Sequence, residues 1–154
     1  MIRVLFVCLG NICRSPMAEG VFLHVLKERG LEDQFEVDSA GTGSWHVGEP
    51  PDPRALAVLR EKGVRLETRA RQVTPADADR FDHILTMDES NLENVLRILP
   101  DRAHERVRPV LSIAGGGVVQ DPYFGGAQGF VAVYEQLHPV LERWVDHLLE
   151  AHGA

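Results

Sequence analysis

Several features are scarce in this sequence, and each scarcity excludes a class of protein. Only two of the 154 residues are cysteines, Cys8 and Cys13, which excludes a disulfide-rich scaffold and a zinc site built from four cysteines. No apolar run approaches the roughly 18 residues of a membrane helix, and the start of the chain lacks the basic segment of a signal peptide. We therefore expect a cytoplasmic protein, in which the thiols stay reduced.

Basic residues are also in the minority. Lysine and arginine number 16 against 23 aspartates and glutamates, which gives a net charge of −7 and a pI near 5.4. Such a chain lacks the broad positive surface that binds nucleic acid or anionic membranes. We therefore expect neither partner, and any anion-binding site has to be local.

The rest of the composition is that of a folded globular protein. Hydrophobic residues make up 44% and charged residues 25%, both near the usual average. The length fits one domain, and the sequence contains no linker, repeat or low-complexity tract. We expect a single domain over residues 1–154.

Strand-like and helix-like patterns alternate along the chain. Strands are predicted at 2–7, 35–40, 81–87 and 107–113, and helices at 16–30, 55–62, 88–99 and about 129–150. Ser15 before Pro16, like Asp52 before Pro53, is typical of a helix N-cap, while Pro139 predicts a kink or a break in the last helix. The alternation predicts an α/β fold, with a doubly wound, four-stranded parallel sheet that has helices on both faces in a flavodoxin-like order.

The segment between the first strand and the first helix reads Cys8-Leu9-Gly10-Asn11-Ile12-Cys13-Arg14-Ser15, and we call it the anion loop (residues 8–15). Ligands of such sheets bind beyond the carboxyl ends of the strands, where loop amides and a helix N-terminus attract anions. Arg14 adds a planar fork for two phosphate oxygens, and Gly10 allows a close backbone approach or a positive φ. Residues 9–15 are therefore predicted to bind a tetrahedral anion.

Cys8 is the candidate nucleophile of this loop. A thiol that faces the positive potential of a helix N-terminus ionises more easily, and Ser15 can donate a hydrogen bond to the sulfur. A lone cysteine at a strand end is usually a small buried hydrophobe, but the strand before it and the helix after it favour a reactive thiolate here. We interpret Cys8 as a nucleophile that attacks a bound phosphorus.

A leaving alcohol or phenol also needs a proton from a second loop. Asp121 is the best candidate, because Pro122 stiffens its loop and neighbouring aromatic side chains can desolvate the carboxyl group, although Asp-Pro is also a common start of a turn. The same carboxyl group can next activate the water that hydrolyses the phosphocysteine. We therefore interpret Asp121 as the general acid and then the base.

A phenyl phosphate needs a slot with flat sides, which aromatic rings supply. We expect Trp45, Tyr123 and Phe124 to form these walls, and His46 lies in the same loop as Trp45, where it can contact a ligand. A loop tryptophan also commonly packs on the core, so this alternative stays open for Trp45.

Several ordered motifs, along nearly the whole chain, resemble the low-molecular-weight protein tyrosine phosphatase family. They lie at 4–16, 38–42, 46–48, 50–52, 70–72, 87–92 and 121–123. The resemblance implies that Cys8 is the nucleophile, that Arg14 clamps the phosphate and the transition state, and that Asp121 is the acid and base. It implies hydrolysis of phosphotyrosine in proteins, or of aryl phosphates, through a phosphocysteine, with inorganic phosphate as product and without metal or other cofactor.

The resemblance also implies roles for supporting residues. Asn11, Ser15 and Ser39 would hold the anion loop in shape through hydrogen bonds. Cys13 would form a reversible disulfide with Cys8 under peroxide and so protect the nucleophile from over-oxidation. A cysteine that simply packs under the loop is the alternative for this position.

Three positions depart from the family pattern or discriminate within it. Phe124 stands where many relatives have a second tyrosine, which removes a site of phosphorylation. Thr68 stands where some relatives have histidine, which leaves open what steadies Asn11. Ile12 is bulky and apolar where relatives specific for phosphoarginine tend to have threonine, which favours phosphotyrosine as the substrate.

Other activities remain as alternatives. These are a phosphoarginine phosphatase and an arsenate reductase of the same fold, although a thiol-relay reductase needs cysteines beyond Cys13 and the sequence has none. A phosphocysteine carrier of a sugar-transport system would need neither Arg14 nor Asp121. A non-catalytic module would bind phosphoproteins through the same loop without turnover.

Overall fold

A computed structural model describes residues 1–153 and contains one four-stranded parallel sheet in the order β2-β1-β3-β4. The strands are β1 (Ile2–Cys8), β2 (Phe35–Gly41), β3 (His83–Thr86) and β4 (Val107–Pro109). The helices are α1 (Arg14–Glu28), α2 (Pro53–Glu61), α3 (Asp77–Arg80), α4 (Glu89–Ile98) and α5 (Ala127–Ala151). The predicted fold is confirmed, including the parallel strands.

Helices cover both faces of the sheet, because both faces of its central strand are apolar. Val4 and Phe6 of β1 point to one side, where they pack in a core with α1, α2 and α5. Leu5 and Val7 point to the other side, into a second core with α3 and α4. The continuous apolar run at the start of the sequence is therefore a strand that is buried on both faces.

Two strand predictions are wrong at their ends. Strand β4 stops at Pro109 rather than at residue 113, and a short 3₁₀ helix over Val110–Ala114 follows it. Proline has no N–H to extend the ladder, so the apolar residues after it are buried in a helical turn instead. Strand β3 begins at His83 rather than at Phe81, which is buried just after α3. An apolar run alone does not separate these cases.

Helix α5 runs without a break through Pro139, so a break at this position is ruled out. A proline inside a helix costs about 3 kcal/mol, while each fully buried large apolar side chain contributes about 1.5–3 kcal/mol. Phe130, Leu141 and Trp144 of α5 are all buried, and their packing offsets the cost. No helix within the described residues combines the length and apolar character that a membrane crossing requires.

The carboxyl ends of β1, β2 and β3 meet at one edge of the sheet, as predicted. Strand β1 ends at Cys8, and Asp88 comes soon after β3. The distant segment before Asp121 joins the same edge, because the N–H of Val119 donates a hydrogen bond to the carbonyl of Met87 at 2.8 Å. Cys8, Asp88 and the segment before Asp121 therefore lie at the same edge of the sheet.

Candidate active site

The anion loop forms the floor of an open cleft of about 140 Å³ at this edge. The cleft is lined by Cys8, Leu9, Gly10, Ile12, Cys13, Arg14, Trp45, His46, Asp121, Tyr123 and Phe124. The structure thus brings together, in one cavity, the predicted nucleophile, arginine, acid and aromatic walls.

Backbone groups of the anion loop divide into two sets. The carbonyl oxygen of Leu9 accepts a hydrogen bond from the N–H of Gly43 at 2.9 Å. The carbonyl oxygen of Ile12 accepts one from the N–H of Asp52 at 2.8 Å. In contrast, the N–H groups of residues 10–13 donate to no protein atom among residues 1–153. These donors are therefore free for a bound oxyanion.

Asn11 is the strained residue of the loop. Its φ of +58° is the only positive φ of a non-glycine residue within residues 1–153, and asparagine tolerates this region better than most residues. Its buried side chain fixes the conformation: Nδ2 donates to Oγ of Ser15 at 2.8 Å and to Oγ of Ser39 at 3.0 Å. Its Oδ1 accepts from the N–H of Arg71 at 3.0 Å, which is what steadies Asn11 in this chain.

Of the two roles predicted for Gly10, a close backbone approach or a positive φ, the structure contradicts the second. Gly10 has no positive φ, because Asn11 takes that conformation, but a Cβ on Gly10 would lie 3.0 Å from the His46 ring. Gly41, at the end of β2, is packed more tightly, since a Cβ there would lie 2.7 Å from the carbonyl oxygen of Leu9. A side chain at residue 41 would therefore displace the anion loop.

The prediction that Ser15 caps α1 is wrong. The helix begins two residues earlier, at Arg14, with Cys13 at the N-cap position and without a side-chain cap. The Ser15 hydroxyl instead lies 3.0 Å from Sγ of Cys8, in the position needed to donate a hydrogen bond to a thiolate. By contrast Asp52, the other predicted cap, accepts from the N–H of Arg54 at 2.8 Å. The free N–H groups before α1 are left to a ligand rather than to a cap.

Arg14 is buried and only partly paired. Its Nη1 donates to Oδ2 of Asp88 at 2.7 Å and to the carbonyl of Val119 at 2.9 Å. Its Nε has no hydrogen-bond acceptor among residues 1–153 although it is buried. A buried N–H without a partner is costly, so the Nε side of the fork is suited to an oxyanion in the cleft.

Asp88 contacts Arg14, although no role was predicted for this residue. Its Oδ2 accepts from Arg14 while its Oδ1 accepts from the N–H of Asn91 and so caps α4. The position of Asp88 in the sequence could have indicated a role, because it comes just after a buried strand that ends at the ligand edge of the sheet. Asp88 orients the guanidinium group and balances its charge.

Asp121 approaches the same arginine from the opposite loop. Its Oδ2 lies 3.7 Å from Nη2 of Arg14, and its Oδ1 accepts from the N–H of Tyr123 at 3.1 Å. The side chain is 40% exposed, so both water and a leaving group can reach it. A carboxyl group and a thiol thus face one anion position from two directions.

Cys13 lies in the loop but differs from Cys8. Burial, with a smaller contribution from the Asp52 carboxylate, raises the pKa of the Cys13 thiol to about 12. This thiol stays protonated at neutral pH and is a poor nucleophile. Both cysteines are free in the structure, and the protective disulfide stays a prediction.

The aromatic walls are exposed rather than anchored in the core. Trp45 is 72% exposed and lies over Gly43, where a Cβ would be 1.9 Å from its ring, so the alternative of a core anchor is wrong. Tyr123 and Phe124 contact each other edge to face with ring centroids 5.0 Å apart, and Phe124 is 95% exposed. His46 also faces Tyr123, at 6.1 Å between centroids. These rings form an apolar rim around a polar floor.

Glu19 is a buried acid beneath the loop that the sequence interpretation missed. Its Oε1 accepts from Oγ of Ser39 at 2.6 Å, and burial raises the pKa of this carboxyl group to about 7. The spacing in the sequence could have predicted that Glu19 is buried, since it follows Ser15 by four residues and precedes Phe22 by three, on the buried face of α1. Within residues 1–153 no group of acidic, histidine and cysteine side chains could hold a metal ion.

The free energy of unfolding is expected to fall as the pH rises from about 4.5 to about 7, because the folded protein holds a proton on Glu19 that the unfolded chain releases. This contribution is complete below that window and lost above it, with a size of the order of 3 kcal/mol. Urea denaturation of the wild type and of Glu19→Gln at pH 5 and pH 8 measures it. Glutamine can still accept from Ser39, so the variant should gain stability relative to the wild type at pH 8 only. Identical pH dependence in both proteins would contradict the prediction.

The chain is similar to proteins of one known family. A family model described as low molecular weight phosphotyrosine protein phosphatase matches residues 3–153. The low molecular weight phosphotyrosine protein phosphatase of Schizosaccharomyces pombe is 49% identical over 140 residues, which cover 88% of this chain and 90% of the relative. The low molecular weight protein-tyrosine-phosphatase of Streptomyces coelicolor is 45% identical over 141 residues, with 88% and 86% covered. The crystal structure of a protein tyrosine phosphatase from Entamoeba histolytica matches with a TM-score of 0.94 at 34% identity, over 99% of each chain.

Proposed function

Because the chain belongs to the low molecular weight phosphotyrosine protein phosphatase family, whose members are hydrolases, we propose that it hydrolyses phosphotyrosine in proteins through a phosphocysteine on Cys8. The observation that carries this proposal is the buried Nε of Arg14, which has no acceptor within residues 1–153 and lies in a cleft whose floor also presents the N–H groups of residues 10–13. These donors match the oxygens of a phosphoryl group. Residues 1–154 would act as one phosphatase domain.

In the first step, Sγ of Cys8 attacks the phosphorus, so an S–P bond forms while the bond from phosphorus to the tyrosine oxygen breaks. Asp121 donates its proton to that leaving oxygen, and Ser15 stabilises the thiolate before the attack. In the second step, water attacks the phosphorus, Asp121 takes a proton from the water, and the S–P bond breaks. Inorganic phosphate leaves, and Cys8 is a thiolate again.

Arg14 and the loop amides act in both steps. Charge spreads over the three equatorial oxygens in the transition state, and a fixed set of donors stabilises it without reorganisation. Asp88 keeps the guanidinium group in place, and the hydrogen bonds of Asn11 with Ser15 and Ser39 keep the loop amides turned to the anion. No cofactor enters this scheme.

The rim of the cleft favours an aryl phosphate over a phosphorylated guanidine. Trp45 and Tyr123 line the cleft with flat rings, and Ile12 lines it with an apolar side chain. A phosphoarginine phosphatase is the second candidate. The absence of cysteine beyond Cys13 argues against a thiol-relay arsenate reductase. Since the mechanism needs a reduced Cys8, the proposed compartment is the cytoplasm.

The function is tested with p-nitrophenyl phosphate, a phosphotyrosine peptide and a phosphoarginine peptide, each with and without orthovanadate. We expect hydrolysis of the first two and inhibition by vanadate, which mimics the transition state. Preferred hydrolysis of the phosphoarginine peptide would favour the second candidate. Binding of vanadate without turnover on any substrate would favour a non-catalytic phosphoprotein-binding module.

Asp121→Asn is expected to lower kcat/KM by about 10²–10⁴-fold for phenyl phosphate, because asparagine cannot supply the proton to the leaving oxygen. The loss should be smaller for p-nitrophenyl phosphate, whose more acidic phenol leaves without help. Steady-state kinetics with both substrates measures the difference. Equal losses on the two substrates would remove Asp121 from the role of general acid.

A further inference from the structure

The segment that carries Asp121, here called the acid loop (residues 121–125), meets the anion loop through the ion pair between Asp121 and Arg14 at 3.7 Å. Its residues are exposed except for Pro122. Within residues 1–153, the hydrogen bonds that reach the acid loop from elsewhere all come from one side chain, that of Arg54. Its Nη1 donates to the carbonyl of Gly125 at 2.9 Å, and its Nη2 donates to the carbonyl of Tyr123 at 3.0 Å.

Arg54 is itself held in a fixed orientation. Its Nε and Nη2 donate to the two carboxylate oxygens of Asp52 at 3.0 and 2.9 Å. Its guanidinium carbon lies 4.5 Å from the ring centroid of Phe130, which is buried in α5. These contacts and the two carbonyls use four of the five N–H groups of the side chain. A planar fork suits this arrangement, and an ammonium group does not.

Asp52 connects this arginine to the anion loop. The side chain of Asp52 is nearly buried, and its backbone N–H donates to the carbonyl of Ile12 at 2.8 Å. A continuous chain of hydrogen bonds therefore runs from the anion loop through Asp52 and Arg54 to the acid loop. This chain sets the distance between the two loops that face the bound anion.

We propose that Arg54 is a positioning residue for proton transfer by Asp121: it fixes the acid loop relative to the anion loop through Asp52 and the carbonyls of Tyr123 and Gly125. The inference rests on the proposed function, since it needs Asp121 to be the general acid. A general acid has to lie within hydrogen-bond reach of the leaving oxygen, and a misplacement of about 1 Å costs about 10²-fold in rate. Arg54 touches neither the substrate nor the reacting atoms in this scheme.

The test is the dependence of kcat/KM on the leaving group in Arg54→Met, which keeps a long side chain but removes its donors. This parameter includes the steps up to departure of the leaving group. We expect a fall of about 30–100-fold with phenyl phosphate and of less than about threefold with p-nitrophenyl phosphate. In the Asp121→Asn background, the same change should add no further leaving-group dependence, because the acid that it misplaces is already absent. With phenyl phosphate, the kcat/KM of Arg54→Lys should fall nearly as much as that of Arg54→Met, since lysine lacks the planar fork of arginine.

Arg29→Met is the matched control. The side chain of Arg29 is 31% exposed against 35% for Arg54, and it is paired with Asp146 and Glu142 rather than with residues of the cleft. We expect this variant to keep the leaving-group dependence of the wild type. Affinity for orthovanadate should stay within about threefold in Arg54→Met, because the anion loop keeps its own donors.

Three results would overturn the inference. The first is an equal fall in kcat/KM of Arg54→Met on phenyl phosphate and on p-nitrophenyl phosphate. The second is a further leaving-group dependence when Arg54→Met is added to Asp121→Asn. The third is a loss of vanadate affinity in Arg54→Met as large as its loss of kcat/KM. The last would make Arg54 a support of the anion loop. Failure of the proposed function is read separately, from turnover by Cys8→Ser with Arg54 intact.

Discussion

Replacing Cys8 with serine is expected to lower kcat by at least about 10⁴-fold on every phosphomonoester, the largest effect that we predict. A serine hydroxyl stays protonated near neutral pH, and its neighbour, the Ser15 hydroxyl, can stabilise a thiolate but cannot remove a proton from an alcohol. Initial rates with p-nitrophenyl phosphate measure the loss.

Trapping of the intermediate provides the positive counterpart. Acid quenching of the wild type during turnover should give a protein heavier by one phosphoryl group, and the Cys8→Ser protein should show no such adduct. The variant should still bind tungstate, because Arg14 and the loop amides are unchanged. Full turnover by this variant would refute the phosphocysteine mechanism.

Arg14→Lys is expected to lower kcat/KM by about 10³-fold, which is the second large effect. Lysine keeps the positive charge beside Asp88, but it offers one point charge where the buried fork offers parallel N–H groups. The fall should lie mostly in kcat rather than in KM, because the fork matches the oxygens of the transition state better than those of the substrate. Steady-state kinetics over a full range of substrate concentrations separates the two parameters.

The affinities of Arg14→Lys for vanadate and phosphate, together with its thermal unfolding, show whether the variant loses transition-state stabilisation or its fold. Affinity for vanadate should fall by nearly the same factor as kcat/KM, whereas affinity for phosphate should fall much less. Thermal unfolding monitored by circular dichroism verifies that the variant is folded, since Arg14 is buried in the native state. Retention of wild-type affinity for vanadate would contradict the proposed clamp.

The parts of the fold that depend on hydrophobic pattern and local signals could be predicted from the sequence. The run at 2–7 fills both faces of the sheet, and Asp52 before Pro53 caps α2 as expected. The ends of β3 and β4 and the passage of α5 through Pro139 could not be predicted. In each of these places, tertiary burial rather than local preference decides which conformation an apolar segment takes.

For the candidate site, the reactive residues and the loop supports Asn11, Ser15 and Ser39 could be predicted from the sequence and the resemblance, but the supporting contacts of Asp88 and Glu19 could not. A cysteine and an arginine six positions apart, between a strand and a helix, already predict an anion loop. Asp88 and Glu19 contribute through contacts with residues far away in sequence, which no spacing rule reveals. The positive φ at Asn11 rather than at Gly10 could not be predicted from spacing either, since hydrogen bonds with three segments of the chain impose it.

The support of Asn11 has a consequence for how the protein matures after synthesis. Its partners Ser39 and Arg71 are 28 and 60 positions away along the chain, so the loop cannot take its shape in a collapsed chain that lacks these long-range contacts. We therefore expect a nascent or partly refolded polypeptide to be enzymatically silent. Recovery of hydrolysis during refolding reports completion of the native topology, later than recovery of helical circular dichroism.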